Sequence, residues 1–313
     1  MDFYTPYVGN AKYCYSNAAA MLLASIGEYV EPRIIEVVTG TGLGATFVKN
    51  KNKLYINNQV LEPDLGIKSA LELLGYSVVS ESVKEPKDFP IDKRAEILKV
   101  SKAILGPLDM GYLTYQPNHK YVLGADHFVL ALELTSKGLV VHDPAEFPYA
   151  LLPIKDLERA WKAENMASYK QGYYRYIAYP KKIESVSDDE LYNRAVVRFK
   201  DIYNRGLANS SATNFIRGRA AIEHLAGTVT DGLGEEDLGH YKYFLFSLAA
   251  KRANDFAMFF GSRDTELAEN KKGQAKVLGM CHSNVVNKDW SNLSKSLLQL
   301  ADLEEVFEKA ITK

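Results

Sequence analysis

Cys14 stands where the polar, turn-like stretch "VGNAKY" gives way to the alanine-rich apolar run "SNAAAMLLASIG". Apolar residues at 18, 21, 22, 25 and 26 recur at helical spacing and stop at Gly27, so the sequence predicts a helix over about 14–27 with Cys14 in its first turn. A thiol there faces unpaired backbone N–H groups and the positive end of the helix dipole, and both favour the nucleophilic thiolate. Such a nucleophile needs a base and a third group to orient the base, near in space rather than in sequence.

The stretch "HFVLALELTSKGLVVHDP" offers both. His127 opens one β-rich run, Asp143 closes the next, and folding back around "TSKG" brings them to the same end of a sheet. Register decides whether they meet, because side chains alternate faces: a two- or four-residue loop separates them, whereas an odd loop or a bulge puts them on one face. A three-residue loop closed by Leu134 and Gly138, with Gly138 as its left-handed residue, sets Asp143 opposite Val129, roughly 7–8 Å diagonally from His127. Taken singly, each residue has a plainer reading: Cys14 as a small buried hydrophobe, His127 as a surface or capping group, Asp143 before Pro144 as a turn former. Together, they suggest a Cys–His–Asp triad.

The elements around these residues divide the chain. "EPRIIEVVTGTGLGATFV" predicts a short helix from near Pro32 followed by a glycine-rich loop, and "LGIKSALELLGYSVVSESV" a helix followed by a strand. A helix is expected over about 91–105. From Gly106 onward, "GPLDMGYLTY", "HFVLALEL", "GLVVHD" and "YYRYIAYP" are β-rich, with the helical "IKDLERAWKAE" before the last of them. Past the charged "KKIESVSDDE" the pattern is helical throughout, over about 188–204, 210–226, 237–260, 264–281 and 288–311. The expected architecture is α+β: a sheet-bearing domain over 1–182 and an all-helical domain over 183–313.

Composition narrows the function classes. The chain is 47% apolar and 25% charged with a formal net charge of -1, an ordinary globular balance without the basic footprint of a nucleic-acid or membrane-surface binder. The first residues lack a secretory pattern and no apolar run is long enough to span a bilayer, which gives a cytoplasmic expectation. Cys14 and Cys281 are too far apart for metal-ligand spacing, and a reducing compartment disfavours a disulfide between them. Cys281, beside His282 in "KVLGMCHSN", reads as a buried helical residue.

Read together, "YCYSNAAAMLLASIGEYVEPRIIEVVTGTGLGATF", "MGYLTYQPNHKYVLGADHFVLAL" and "IKDLERAWKAE" resemble the N-terminal domain of the butirosin biosynthesis protein H family, a peptidase C39-like branch of the papain-like cysteine peptidases. The resemblance covers about 1–180 and, more weakly, the helical remainder. It implies a papain-like fold, Cys14 as nucleophile, His127 as general base and acid, Asp143 as the orienting group, and no cofactor. It also implies an acyltransferase taking an acyl group from an acyl-carrier-protein thioester to a small amine; hydrolysis of peptides, amides or thioesters and a catalytically silent assembly protein stay open beside it. Position 8, where the papain-like pattern carries an oxyanion-hole Gln, is Val. Asn10 or the Cys14 backbone N–H then has to donate.

Other residues are weighed against plainer roles. Gly40, Gly42 and Gly44 lack the Lys-Ser/Thr of a phosphate loop; Gly42 and Gly44 either let backbone approach the cleft or form a flexible connection. Tyr112, Tyr115, His119 and Tyr121 lie in a polar loop long enough to line a substrate entrance. Asp126 and His142 alternate away from the proposed pair. The apolar faces of "FIRGRAAIEHLAG" and "HYKYFLFSLAAKRANDFAMFFG" suit core packing or a homodimer interface. Arg217, Arg219, Lys251 and Arg252 either form a solvated face or meet an acidic carrier protein.

Overall fold

The structure is a computed structural model that describes residues 4–10, 12–57, 63–164, 166, 172–208 and 214–313. In chain order its elements are α1 (Cys14–Ala24), α2 (Pro32–Thr39), β1 (Thr46–Val48), β2 (Lys53–Tyr55), α3 (Pro63–Leu73), β3 (Tyr76–Val83), α4 (Ile91–Leu98), β4 (Ala103–Asp109), β5 (Asp126–Thr135), β6 (Gly138–Asp143), β7 (Phe147–Leu152), α5 (Ile154–Lys162) and β8 (Tyr173–Lys182). Then follow α6 (Asp188–Ala208), β9 (Phe215–Arg217), α7 (Gly218–Thr228), α8 (Glu235–Gly239), a π-helical stretch His240–Leu245, α9 (Phe246–Phe260), α10 (Thr265–Val286) and α11 (Trp290–Thr312).

These elements form two compact units of mixed α/β structure. One comprises Met1–Ile35 and Glu62–Val186, the other Glu36–Leu61 and Ser187–Lys313. The division therefore differs from a single cut at 182/183: an early excursion of the chain belongs to the helical unit. The reason is strand pairing, since β1 lies antiparallel between β2 and β9, with Phe47 opposite both Leu54 and Ile216. Phe47, Leu54 and Ile56 are buried in one core with Ile222, Leu225, Phe246, Leu278 and Leu297 from the helices.

In the first unit, six antiparallel strands run in the order β3-β8-β4-β5-β6-β7. β5 is covered on both faces. Val129 and Ala131 join a core with Leu157 and Trp161 of α5, while Phe128, of opposite parity, meets the edge of Tyr15 of α1 with ring centroids 6.0 Å apart. Ten of the eleven residues of α1, all but Cys14, are buried.

The hairpin reaches the required register by a different route from the expected three-residue loop. Thr135 pairs with Gly138 across a two-residue turn, and the ladder then runs Glu133–Val140, Ala131–Val141 and Leu130–His142. Leu132 is the extra residue. This bulge restores the parity that an even turn would destroy, so that Asp143 shares a face with His127. Gly138 is needed for a different reason: at φ +155° its missing Cβ would lie 2.3 Å from the Leu152 carbonyl oxygen of β7.

Three further expectations change. The helix over 91–105 ends at Leu98, and Ala103–Leu105 begin β4, paired with β5 and β8. The helix over 210–226 begins only at Gly218; 210–213 lie outside the described residues, and Phe215–Arg217 form β9, where pairing with β1 overrides the helical pattern. The stretch 237–260 is interrupted by π-helical turns. Among the described residues no helix is long and apolar enough to cross a membrane.

Candidate functional site

Cys14 is the first residue of α1 and half-buried. The residue before it, Tyr13, is held at φ 57°, ψ 42°, a left-handed conformation unusual for a bulky side chain. What holds it is Asn17, one turn on and fully buried: its backbone N–H donates to the Tyr13 carbonyl at 2.8 Å, and its Nδ2 donates to the same oxygen at 3.1 Å and to Lys12 O at 2.7 Å. Residues stored in such backbone conformations cluster at functional sites.

At the far end of the β5–β6 hairpin, His127 Nε2 lies 2.6 Å from Asp143 Oδ1. With Nε2 engaged, Nδ1 is the other ring nitrogen, and the Cys14 side chain is near enough to the imidazole to help raise its pKa. Burial alone would push the His127 pKa down; the Asp143 charge and hydrogen bond, and then Cys14, outweigh it and hold it well above the ordinary range. Asp143 is the mirror case. Burial pushes its pKa up, but the His127 charge and hydrogen bond, the Ala145 N–H and the Tyr115 hydroxyl bring it below the usual carboxylate range.

Asp143 is fully buried, yet both its oxygens are satisfied. Oδ1 accepts from His127 and, at 2.7 Å, from the Ala145 N–H. Oδ2 accepts from the Tyr115 hydroxyl at 2.8 Å and Gln116 Nε2 at 2.6 Å. The segment leading to Cys14 is tied to the same corner, because the Tyr7 hydroxyl donates to Asp143 O at 2.8 Å and accepts from the Glu146 N–H at 2.9 Å. Gly9 permits this approach: a Cβ there would sit 2.6 Å from Pro144 O.

The structure thus brings Cys14, His127 and Asp143 together. Asn10, exposed, accepts through Oδ1 from Asn17 Nδ2 at 3.1 Å and from the Lys12 N–H at 3.2 Å, which leaves its Nδ2 end to donate. Tyr115, expected along a substrate entrance, instead spends its hydroxyl on Asp143 and its ring on Phe147. Tyr112 lies under the Arg159 guanidinium, 4.3 Å from its centroid, and His119 Nδ1 pairs with Gly111 O at 2.9 Å. Gly42 and Gly44 belong to the second unit. There Gly42 admits the Arg252 stem, with 2.8 Å between a built Cβ and Arg252 Cδ, and the Gly44 N–H bonds the Tyr203 hydroxyl. Sequence reasoning missed Gln116 altogether.

His142 is buried, with Nε2 3.2 Å from Thr5 O and Nδ1 accepting from the Tyr149 N–H at 3.2 Å; burial lowers its pKa, as suits a neutral structural ring. Asp126 is exposed. Arg219 is engaged by Glu223, Asp302 and Glu305, Lys251 by Asp255, and Arg252 by buried Glu36 at 2.7 Å. Cys281 is fully buried and its thiol is pushed up to about 12 by burial. Among the described residues no group of three or more His, Cys, Asp or Glu is arranged to hold a metal ion.

Residues 212–312 match the family model described as "YobF C-terminal domain". Over 308 residues the chain is 41% identical to "Uncharacterized protein YobF" of Bacillus subtilis (strain 168), an alignment that covers 98% of each chain.

Proposed function

We propose that this chain, which belongs to the YobF family, is a cysteine acyltransferase whose papain-like N-terminal unit works through an acyl group carried on Cys14. The observation that supports this most is the convergence of Cys14, His127 and Asp143, with His127 Nε2 2.6 Å from Asp143 Oδ1 and Cys14 near enough to help raise the imidazole's pKa. The likeness of the first 180 residues to the butirosin biosynthesis protein H family adds the donor and acceptor classes: a carrier-bound thioester and a small amine.

In the first half-reaction the Cys14 thiolate attacks the acyl carbonyl, the tetrahedral oxyanion collapses, and His127 gives its proton to the departing donor thiolate. In the second, an amine attacks the Cys14 thioester, His127 takes a proton from the nitrogen, and the Cys14 thiolate leaves. Asp143 stays ionised throughout and stabilises the imidazolium. Asn10 Nδ2 and the Cys14 backbone N–H, which has no helical acceptor one turn back, are the oxyanion donors of this reading. It sets the reaction in the cytoplasm, where a free thiol persists.

The test offers the full chain a panel of acyl thioesters with and without amines and follows thiol release. Amide formation that depends on the amine and on Cys14 sustains the reading. Release to water alone makes the protein a hydrolase, and no acylation of Cys14 by any donor leaves a silent assembly protein on the same fold.

A further inference from the structure

We infer that the loop joining β4 to β5, residues 110–125, is a positioning device for Asp143, with Tyr115 and Gln116 as its working ends. The inference rests on the reading of Cys14, His127 and Asp143 as a triad, and it assigns Gln116 a role that residue type and spacing do not suggest.

A connection of this length at the end of a sheet would ordinarily be among the more mobile parts of a protein. Here it is fastened at its neck. Asp109, the fully buried last residue of β4, accepts through Oδ1 from the N–H of Gly111 at 2.9 Å and of Gly124 at 2.8 Å, and the Met110 N–H donates to Ala125 O at 2.9 Å. Along its length the Thr114 hydroxyl donates to Asp156 Oδ2 of α5 at 3.0 Å, and the Tyr115 ring meets the edge of Phe147 of β7 at 5.8 Å. What the fastened loop delivers is two donors to a single atom, Asp143 Oδ2. Gln116 is only 2% exposed and is inside the fold rather than along a surface entrance.

The chemical consequence is specific. A carboxylate with both donors on Oδ2 is fixed in rotation, so Oδ1 always addresses His127 Nε2, and its ionised form is favoured. Removing a donor makes Asp143 easier to protonate. A protonated Asp143 no longer supports the charged imidazole that faces the Cys14 thiolate, so reactivity at Cys14 should fail at a higher pH than in the intact protein.

The test is the pH–rate profile of Cys14 alkylation by iodoacetamide in the full chain, read by peptide mass spectrometry, with Cys281 as internal unreactive reference. Gln116→Leu and Tyr115→Phe should each move the acid limb of the profile upward by about one pH unit, the size of a lost hydrogen bond to a charged group, with the alkaline plateau unchanged. Tyr115→Phe keeps the ring, so it carries the test if Gln116→Leu does not fold. An acid limb that stays put in Tyr115→Phe, or a uniform fall across all pH values accompanied by a lower melting temperature, would overturn the inference and leave the loop merely structural. A wild-type Cys14 no more reactive than Cys281 would defeat the triad reading itself, and this inference with it; that result is distinguishable because it appears before any substitution is made.

Discussion

Cys14 and Cys281 carry the same side chain into opposite surroundings. Cys281 sits within α10, sealed among Leu278, Val285 and Leu297, and burial drives its thiol up to about 12. Cys14 opens α1, half-buried, with an imidazole near it and a carboxylate paired with that imidazole. The contrast teaches that burial by itself silences a thiol, while a half-buried thiol beside a supported imidazole is the one placed to be tested for reactivity. Two buried ionic pairs repeat the lesson. His127 and Asp143 touch at 2.6 Å and hold each other charged, whereas Lys271, 2% exposed and 3.9 Å from Glu304, is pushed down to about 8 by burial despite that partner.

On the acyl-transfer reading proposed above, the comparison breaks first at Cys14. Cys14→Ala should lower acyl transfer on the order of 10⁴-fold or more, and His127→Ala by a similar factor; the double variant should be no worse than either, because the two act as one unit. Steady-state turnover of a thioester substrate measures this. Asp143→Ala should cost about 10²–10⁴-fold in turnover and lower the melting temperature, while circular dichroism at room temperature shows the fold persisting. Cys281→Ala should leave turnover unchanged and lower stability by about 1 kcal/mol in urea melts. Turnover that follows Cys281 rather than Cys14 would invert the whole comparison.

The ion pairs sharpen it at smaller energies. His127, with a raised pKa, contributes stability that is complete below about 6.5 and lost as pH climbs through its raised value; Asp143, with a lowered pKa, contributes stability complete above about 3.9 and lost as pH falls through its lowered value. Their joint contribution is therefore full between about pH 4 and 6.5. Urea melts of wild type and His127→Gln should differ by about 2–3 kcal/mol at pH 5.5 and by less on the alkaline side. Lys271 runs the other way. Its pKa of about 8 lies below the ordinary lysine value, so the wild type is penalised below pH 8 and recovers as the amine loses its proton between about 8 and 10.4. Lys271→Met should flatten that rise, roughly 3 kcal/mol at most, in melts taken from pH 7 to 10.

The parts of the site that could be read from sequence were those where residue type carries the chemistry and the geometry is local. Cys14 at a helix start and the paired ends of one hairpin needed only helical spacing and a fold-back. The bulge at Leu132 left no trace, because β5 is buried on both faces and its apolar run carries no alternation from which to count register. Gln116 was invisible for the opposite reason: a single amide in a polar loop means nothing until the loop meets the end of β6. Gly42 carries a signal that names no partner. Its missing side chain does mark a close approach, but the partner is Arg252 of α9. Phe215–Arg217 misled because strand pairing with residues far earlier in the chain outweighs local helical pattern.

That last pairing has a temporal side. β1 leaves the ribosome long before β9, whose partner residues are synthesised roughly 170 positions later, and at ordinary elongation rates the wait is on the order of ten seconds or more. During that interval Phe47 and Leu54 have no helical core to enter, so the nascent chain carries an apolar hairpin without its core through the synthesis of Glu62–Val186. Severing the gene between the two units would strand that hairpin for good, which makes this a protein whose halves are expected to be inherited together rather than shuffled.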